Sequence, residues 1–340
     1  MKNITLGKTG ITVPQNAFGA LPIQRVDLPT AVSLLRNAYA GGMRFFDTAR
    51  AYSDSEEKVG EAFSGMREKV YIATKTQAKN PEDFWRDLET SLRLLKTDYI
   101  DIYQLHCAKQ CYRPGDGTGM YEALLEAKAQ GKIRHIGITA HLIGVAEEIV
   151  ASGLYETLQF PFSYLATERE IALEQACEKA GMGFIAMKGL AGGLLTNANA
   201  CMGFMQQFEA LPIWGIQKQT ELEQWLSFFG KDPELTPELQ AVIDADKASL
   251  AGEFCRGCGY CAPCTVDIKI NQCARMAQMV RRAPSEVWLS EQWQAEMEKI
   301  EDCVECGLCM SRCPYGLEIP ALLRRNLEDY RAILRGEIQA

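Results

Sequence analysis

Between residues 16 and 229 the chain alternates, eight times over, a short apolar run with a longer stretch of helical periodicity. The runs at 16–22, 44–48, 70–75, 99–106, 133–139, 157–160, 183–188 and 211–216 predict strands. The stretches at 28–40, 55–64, 81–96, 120–130, 142–152, 168–180, 198–210 and 219–229 predict helices. Segment EDFWRDLETSLRLLK is the clearest, with Phe84, Leu88, Leu92 and Leu95 on one face. Runs such as VYIAT and IDIY read as near-continuous apolar stretches, as parallel strands covered on both faces require. Eight such repeats fit a closed (β/α)8 TIM barrel better than an open doubly wound sheet. Residues 4–17, which alternate around Lys8-Thr9-Gly10, predict a hairpin ahead of it.

The alternation stops near residue 230, and the cysteines begin. Of 13 in the chain, nine follow residue 254, and eight of these form two clumps: Cys255, Cys258, Cys261, Cys264 and Cys303, Cys306, Cys309, Cys313. The second clump reads C-x2-C-x2-C-x3-C-P, ending on Pro314, a run that holds iron–sulfur clusters and whose fourth cysteine serves the neighbouring cluster. The first clump ends C-x2-C-Thr265 instead. A crossed pattern would join Cys255, Cys258 and Cys261 to Cys313, and Cys303, Cys306 and Cys309 to Cys264. The two clumps start 48 residues apart, each followed by a short helical pattern, with a helical spacer over 285–300 between them. That duplication predicts a small α-helical, ferredoxin-like domain with two [4Fe–4S] clusters. Tetrahedral zinc and a single surviving cluster stand as alternatives. Three segments result: a barrel over 1–230, a linker helix over 231–250 and a cysteine domain over 251–340 closed by a polar final helix.

Charge and hydropathy narrow the setting. The net charge of -8 argues against nucleic acid and anionic membranes as partners. The tail from Cys255 holds 11 Lys and Arg against 12 Asp and Glu, a balance of -1, so it is no basic arm. No apolar stretch reaches a membrane-spanning length, and the N-terminus lacks a signal core. A cytoplasmic, reducing compartment follows, where clumped cysteines mean metal.

Barrels of this kind place reacting groups at the C-terminal ends of their strands. Those ends supply Asp47, Lys75 and His106, with Tyr52 five residues beyond Asp47. A phenol with an ordinary pKa of about 10 protonates an alkoxide poorly at neutral pH. A neighbouring ammonium is expected to lower it, a carboxylate to hold that ammonium, and an imidazole to orient a carbonyl. His135 reads as a structural histidine, and His141 lies just past the fifth strand's end. Cys107 and Cys111 read as loop or packing cysteines.

Segments FDTARAYSDSEEKVGEAF, YIATKT, IDIYQLH and GKIRHIGIT, in this order, resemble the aldo-keto reductase family over residues 1 to about 230. The cysteine tail resembles the ferredoxin-type extension of one branch of that family. The resemblance implies Tyr52 as general acid/base, tuned by Lys75 and Asp47, with His106 orienting the carbonyl. It also implies an NAD(P)H site at Thr139, Gln159, Met187, Lys188, Gly189, Gln217 and Lys218. Here the chain departs from the family: Ala140 replaces an asparagine, and Met187 an aromatic ring. Glu221 and Trp225 replace an arginine and an asparagine, and a glutamate there would repel a 2′-phosphate.

Hydride carriers move electrons in pairs and clusters singly, so a flavin between them is conceivable, and structural clusters are another option. The expected activity interconverts a small carbonyl and its alcohol, with a ferredoxin or similar redox partner. The alternative is an electron-transfer or nucleotide-sensing protein with a non-catalytic barrel. The loop after His106, CAKQCYRPGDGTGM, is the expected substrate-selecting segment.

Overall fold

The computed structural model describes residues 1–231, 233–250, 254–257, 259–282, 285–313 and 315–339. The chain divides into two compact units: Met1–Gly189 with Cys201–Leu235, and Leu190–Ala200 with Thr236–Ala340.

In the first unit a hairpin of β1 (Asn3–Thr5) and β2 (Thr12–Pro14) precedes the barrel. The barrel strands are β3 (Ala17–Gly19), β4 (Phe45–Asp47), β5 (Tyr71–Thr76), β6 (Ile100–Ala108), β7 (Ile133–Ala140), β8 (Thr157–Pro161), β9 (Gly183–Met187) and β10 (Ala210–Gly215). They close in parallel, with β10 pairing β3. The helices α1 (Leu28–Ala40), α2 (Ser55–Phe63), α3 (Pro81–Leu94), α4 (Met120–Ala129), α5 (Ile143–Ser152), α6 (Glu168–Ala180), α7 (Ala198–Met205) and α8 (Gln219–Leu226) each follow a strand. The predicted (β/α)8 barrel is therefore the fold. In α3 the sequence supplies its own start, since Asn80 accepts from the Asp83 N–H and Pro81 opens the first turn. Phe84, Leu88, Leu92 and Leu95 are buried, as their spacing requires.

Side-chain alternation then decides where polar groups go. Phe45, Ala73, Ile102, Ile185 and Leu211 pack inside the barrel against Ile4, Leu6, Ile11 and Val13 of the hairpin segment. The hairpin segment thus closes the N-terminal end, each large apolar side chain contributing about 1.5–3 kcal/mol. Two residues further along the same strands, on the same inward face, stand Asp47, Lys75, Gln104 and Met187. The polar inward positions collect at the C-terminal end.

The second unit holds α9 (Pro237–Ser249), α10 (Ile270–Cys273), α11 (Met276–Arg282), α12 (Ser285–Trp288), α13 (Glu291–Glu298), α14 (Leu308–Ser311) and α15 (Ile319–Leu334). Two segments group with it: residues 190–200, which leave β9, and α9, read from sequence as a linker. The expected spacer helix is two helices, because Ser290 turns extended (φ −62°, ψ 155°) ahead of α13. The final helix is polar on its outer face, while Ile319, Leu322, Leu323, Leu327, Tyr330 and Ile333 are buried at helical spacing, with Asn326 the polar residue among them. Cys273 is fully buried in the same core. Among the described residues, no helix is long and apolar enough to cross a membrane.

Candidate active site and thiol sites

β4, β5 and β6 lie side by side, with Asp47 opposite Ala73 and Lys75 opposite Gln104, so the strand-end residues meet. The Lys75 ammonium donates to Asp47 Oδ1 at 2.6 Å and to the Thr48 carbonyl at 2.7 Å. Both side chains are almost wholly buried, at 1% and 3% exposure. The pair is costly to bury and costlier to break, since either partner alone would leave an uncompensated charge. Burial pushes the Asp47 carboxyl up and Lys75 pulls it back. Burial also pushes the Lys75 ammonium down, but Asp47 and Tyr52 together more than reverse this, so it stays charged.

Tyr52 lies over this pair, its ring centroid 5.1 Å from Lys75 Nζ. His106 meets the same ring edge-on, with centroids 5.8 Å apart at 78°. The phenol departs from expectation. Its pKa is raised, because burial outweighs the lowering by Lys75 and the Asp47 carboxylate adds to the rise. It therefore stays protonated at neutral pH. His106 moves the other way: burial, then Lys75 and His141, bring it down to about 3, so the imidazole is neutral. His141 is buried and likewise lowered to about 3, by burial and Lys188. His135 is tied elsewhere, Nδ1 lying 2.7 Å from Glu156 Oε1.

Gln104 was not singled out by sequence, yet it links two residues that were. Its Nε2 donates to Gln159 Oε1 at 3.0 Å and reaches Asp47 Oδ2 at 3.4 Å. Gly137 makes the room, since a Cβ there would stand 2.8 Å from Gln104 Cγ. The signal was available: Gln104 sits two residues before His106 and shares its face. Among the described residues, the buried Gln104 Oε1 and His106 Nδ1 find no hydrogen-bond partner. Orphaned acceptors and donors of this kind fit a polar ligand. Three residues with left-handed backbone each directly follow a site residue: Ser53 (φ 39°), Cys107 (φ 53°) and Lys188 (φ 59°). Such strain costs about 1–3 kcal/mol per residue and concentrates at functional sites.

The other expected cofactor residues are scattered in their engagement. Thr139 accepts from the Cys107 N–H at 2.7 Å. Met187 ends β9 half-buried, its carbonyl accepting from Phe162 N at 2.9 Å. Gly189 packs on Trp214, where a Cβ would come within 2.5 Å of Cζ3. At the start of α8, Glu221 Oε2 accepts from the N–H groups of Gln217 and Lys218 at 2.9 and 3.2 Å. Trp225 is buried and stacks on Trp214 at 3.8 Å and 7°.

In the second unit the thiols surround two hollows. One is lined by Cys261, Cys264, Cys303, Cys306 and Cys309. The other is lined by Cys255, Cys261 and Cys313. Cys258 and Pro314 lie outside the described residues. Among the described residues, no three His, Cys, Asp or Glu side chains converge as the ligands of a single ion do. Thiols spread around a hollow suit a polynuclear cluster better than one zinc, whose Zn–S bonds are about 2.3 Å long.

Comparison with known proteins agrees with both units. Residues 14–242 match the aldo/keto reductase family, and residues 254–318 match the 4Fe-4S dicluster domain. The chain thus belongs to the aldo/keto reductase family and carries a 4Fe-4S dicluster domain behind the barrel. It is 31% identical over 215 residues to the aldo-keto reductase YhdN of Bacillus subtilis, covering 58% of this chain and 64% of that one. It is 37% identical over 150 residues to the methylglyoxal reductase DkgB of Salmonella typhi, covering 42% and 53%. The matched stretches therefore span about half to two thirds of these relatives. Among solved structures, the holo aldo-keto reductase AKR11C1 of Bacillus halodurans superposes with a TM-score of 0.63 at 22% identity, over 72% of this chain and 96% of that one. An aldo-keto reductase of Klebsiella pneumoniae in complex with NADPH superposes at 0.59 and 23% identity, over 72% and 95%.

Proposed function

We propose that this oxidoreductase interconverts a small carbonyl and its alcohol with Tyr52 as proton donor and acceptor, and exchanges single electrons through its thiol-held clusters. The carrying observation is the buried Lys75–Asp47 pair beneath the Tyr52 ring, with a neutral imidazole at its edge.

A nicotinamide dinucleotide, when bound, supplies or accepts the hydride, and [4Fe–4S] clusters store and pass single electrons. The rest falls to the chain's own side chains. In reduction, the Tyr52 hydroxyl gives its proton to the carbonyl oxygen while the carbon gains hydride. The raised phenol suits this duty, because the proton is present at neutral pH. Lys75, kept cationic by Asp47, stabilises the phenolate that remains. His106, uncharged, orients the substrate oxygen by a hydrogen bond and does not compete as an acid. In oxidation the same proton returns from the alcohol to Tyr52.

Gln159, Gln104 and Met187 would face the nicotinamide, with the orphaned Gln104 Oε1 suited to its carboxamide. Gln217 and Lys218 would meet its phosphate side, where Glu221 opposes an added 2′-phosphate. The relatives offer no support for a flavin. Their names make methylglyoxal the first carbonyl to assay.

Tyr52→Phe is the test. Carbonyl turnover should fall about 10²–10⁴-fold, the range of general acid catalysis, with cluster absorbance unchanged. Undiminished turnover would leave the barrel without its assigned chemistry and favour a docking or sensing role.

A further inference from the structure

Arg275 is a buried cation, 9% exposed, at the end of the turn between α10 and α11. Its Nη2 donates to the Gly192 carbonyl at 2.7 Å and touches Met279 Sδ at 3.0 Å. Two left-handed glycines clamp the guanidinium. A Cβ on Gly257 would stand 2.3 Å from Nη1, and one on Gly192 2.7 Å from it. Gly257 follows Cys255 by two residues and donates its N–H to that sulfur at 3.3 Å. Among the described residues no carboxylate pairs with Arg275, and the ionisable group acting on it is Cys255. A buried charge needs a counter-charge, and among the described residues the ionisable group beside it is the Cys255 thiol, which lines the hollow shared with Cys261 and Cys313.

The hollow lined by Cys264, Cys303, Cys306 and Cys309 is arranged differently. The cations near Cys303 and Cys306 are Arg324 and Arg312. Arg324 is 54% exposed and already paired with Glu305, and Arg312 is exposed. Water and salt screen such charges, whereas a buried one acts at nearly full strength.

We propose that Arg275 is the counter-charge of the cysteine site at Cys255, Cys261 and Cys313 and holds its reduction potential above that of the site at Cys264, Cys303, Cys306 and Cys309. A reduced cluster carries one more negative charge, so a fixed cation stabilises it, and an electron reaching either site settles on the one at Cys255. This rests on the reading that each hollow takes a cluster.

The test is an EPR-monitored redox titration of anaerobically purified full-length protein, with iron counted in each sample. Arg275→Gln should shift one midpoint downward by at least a tenfold change in its oxidised-to-reduced ratio, 59 mV for one electron, and leave the other in place. Arg275→Lys should stay nearer the native value. Gly192→Ala, whose methyl would displace the guanidinium without altering a cysteine loop, should shift the same midpoint the same way. Arg256→Gln, a half-exposed cation lining the same hollow, should shift it less. Full iron with unmoved midpoints in Arg275→Gln and Gly192→Ala would overturn the assignment. So would loss of four irons from both Arg275→Gln and Arg275→Lys, which would mark Arg275 as needed for assembly alone. Native protein holding a single cluster would sink the two-cluster reading, and this inference with it.

Discussion

Tyr52 stands between two opposing influences, and burial wins over the ammonium. Removing the ammonium tests both stability and chemistry. Lys75→Met leaves the Asp47 carboxylate stranded, which should cost about 3–5 kcal/mol in urea unfolding of the barrel. Adding Asp47→Asn should recover most of that loss while activity stays low, and simple additivity of the two losses would refute the pairing argument. His106 gives a pH signature. Its folded pKa of about 3 lies below the ordinary 6.5, so the unfolded chain takes up a proton that the folded one refuses. Its share of stability is present above pH 6.5 and is lost as pH falls toward 3, by up to about 1.4 kcal/mol per pH unit. The difference between native protein and His106→Gln should therefore shrink across that window, and a difference flat in pH would contradict the neutral imidazole. Asp47, Lys75 and His106 were legible because each closes an apolar strand run. The direction of the phenol's shift was not, because it depends on depth of burial, which no spacing encodes. Gln104 was overlooked inside an apolar run, although the same alternation marks it.

At the scale of elements, the start of α8 bears on which nucleotide can bind. Its N–H groups at Gln217 and Lys218 are taken by Glu221, so a phosphate would meet an anion already in place. Glu221→Gln should raise affinity for NADPH relative to NADH about tenfold, read by fluorescence titration, and an unchanged ratio would remove Glu221 from the nucleotide site. Most strands and helices of the barrel were readable because periodicity and burial agree, as for α3, whereas the helix expected over 198–210 ends at Met205 and Ala210 already opens β10. The break between α12 and α13 was not readable, because Leu289 and Ser290 look helical and only the extended Ser290 backbone interrupts the run. The amphipathic character of α15 was concealed by its many charged residues, which all lie on one side.

For the whole molecule, the second unit has its own apolar core, into which Cys255, Cys261 and Cys273 are packed, with Cys264, Cys303, Cys309 and Cys313 against it. If clusters tie these loops together, their binding energy is folding energy. Stripping iron should expose 255–268 and 303–318 to limited proteolysis while residues 1–189 resist, as read by mass spectrometry. Equal resistance with and without iron would mean that the metal adds nothing to the fold. The (β/α)8 barrel and the existence of a second body were both evident from the shift in pattern near residue 230.

The second unit draws its chain from two places, 190–200 and 236–340. A module assembled this way differs from a bead strung at the end of a thread. On the ribosome, the stretch emerging after β9 must wait for more than thirty further residues before its companions exist. Cutting the gene at residue 235 would orphan that stretch, leaving residues 190–200 on the barrel's chain without the rest of their unit.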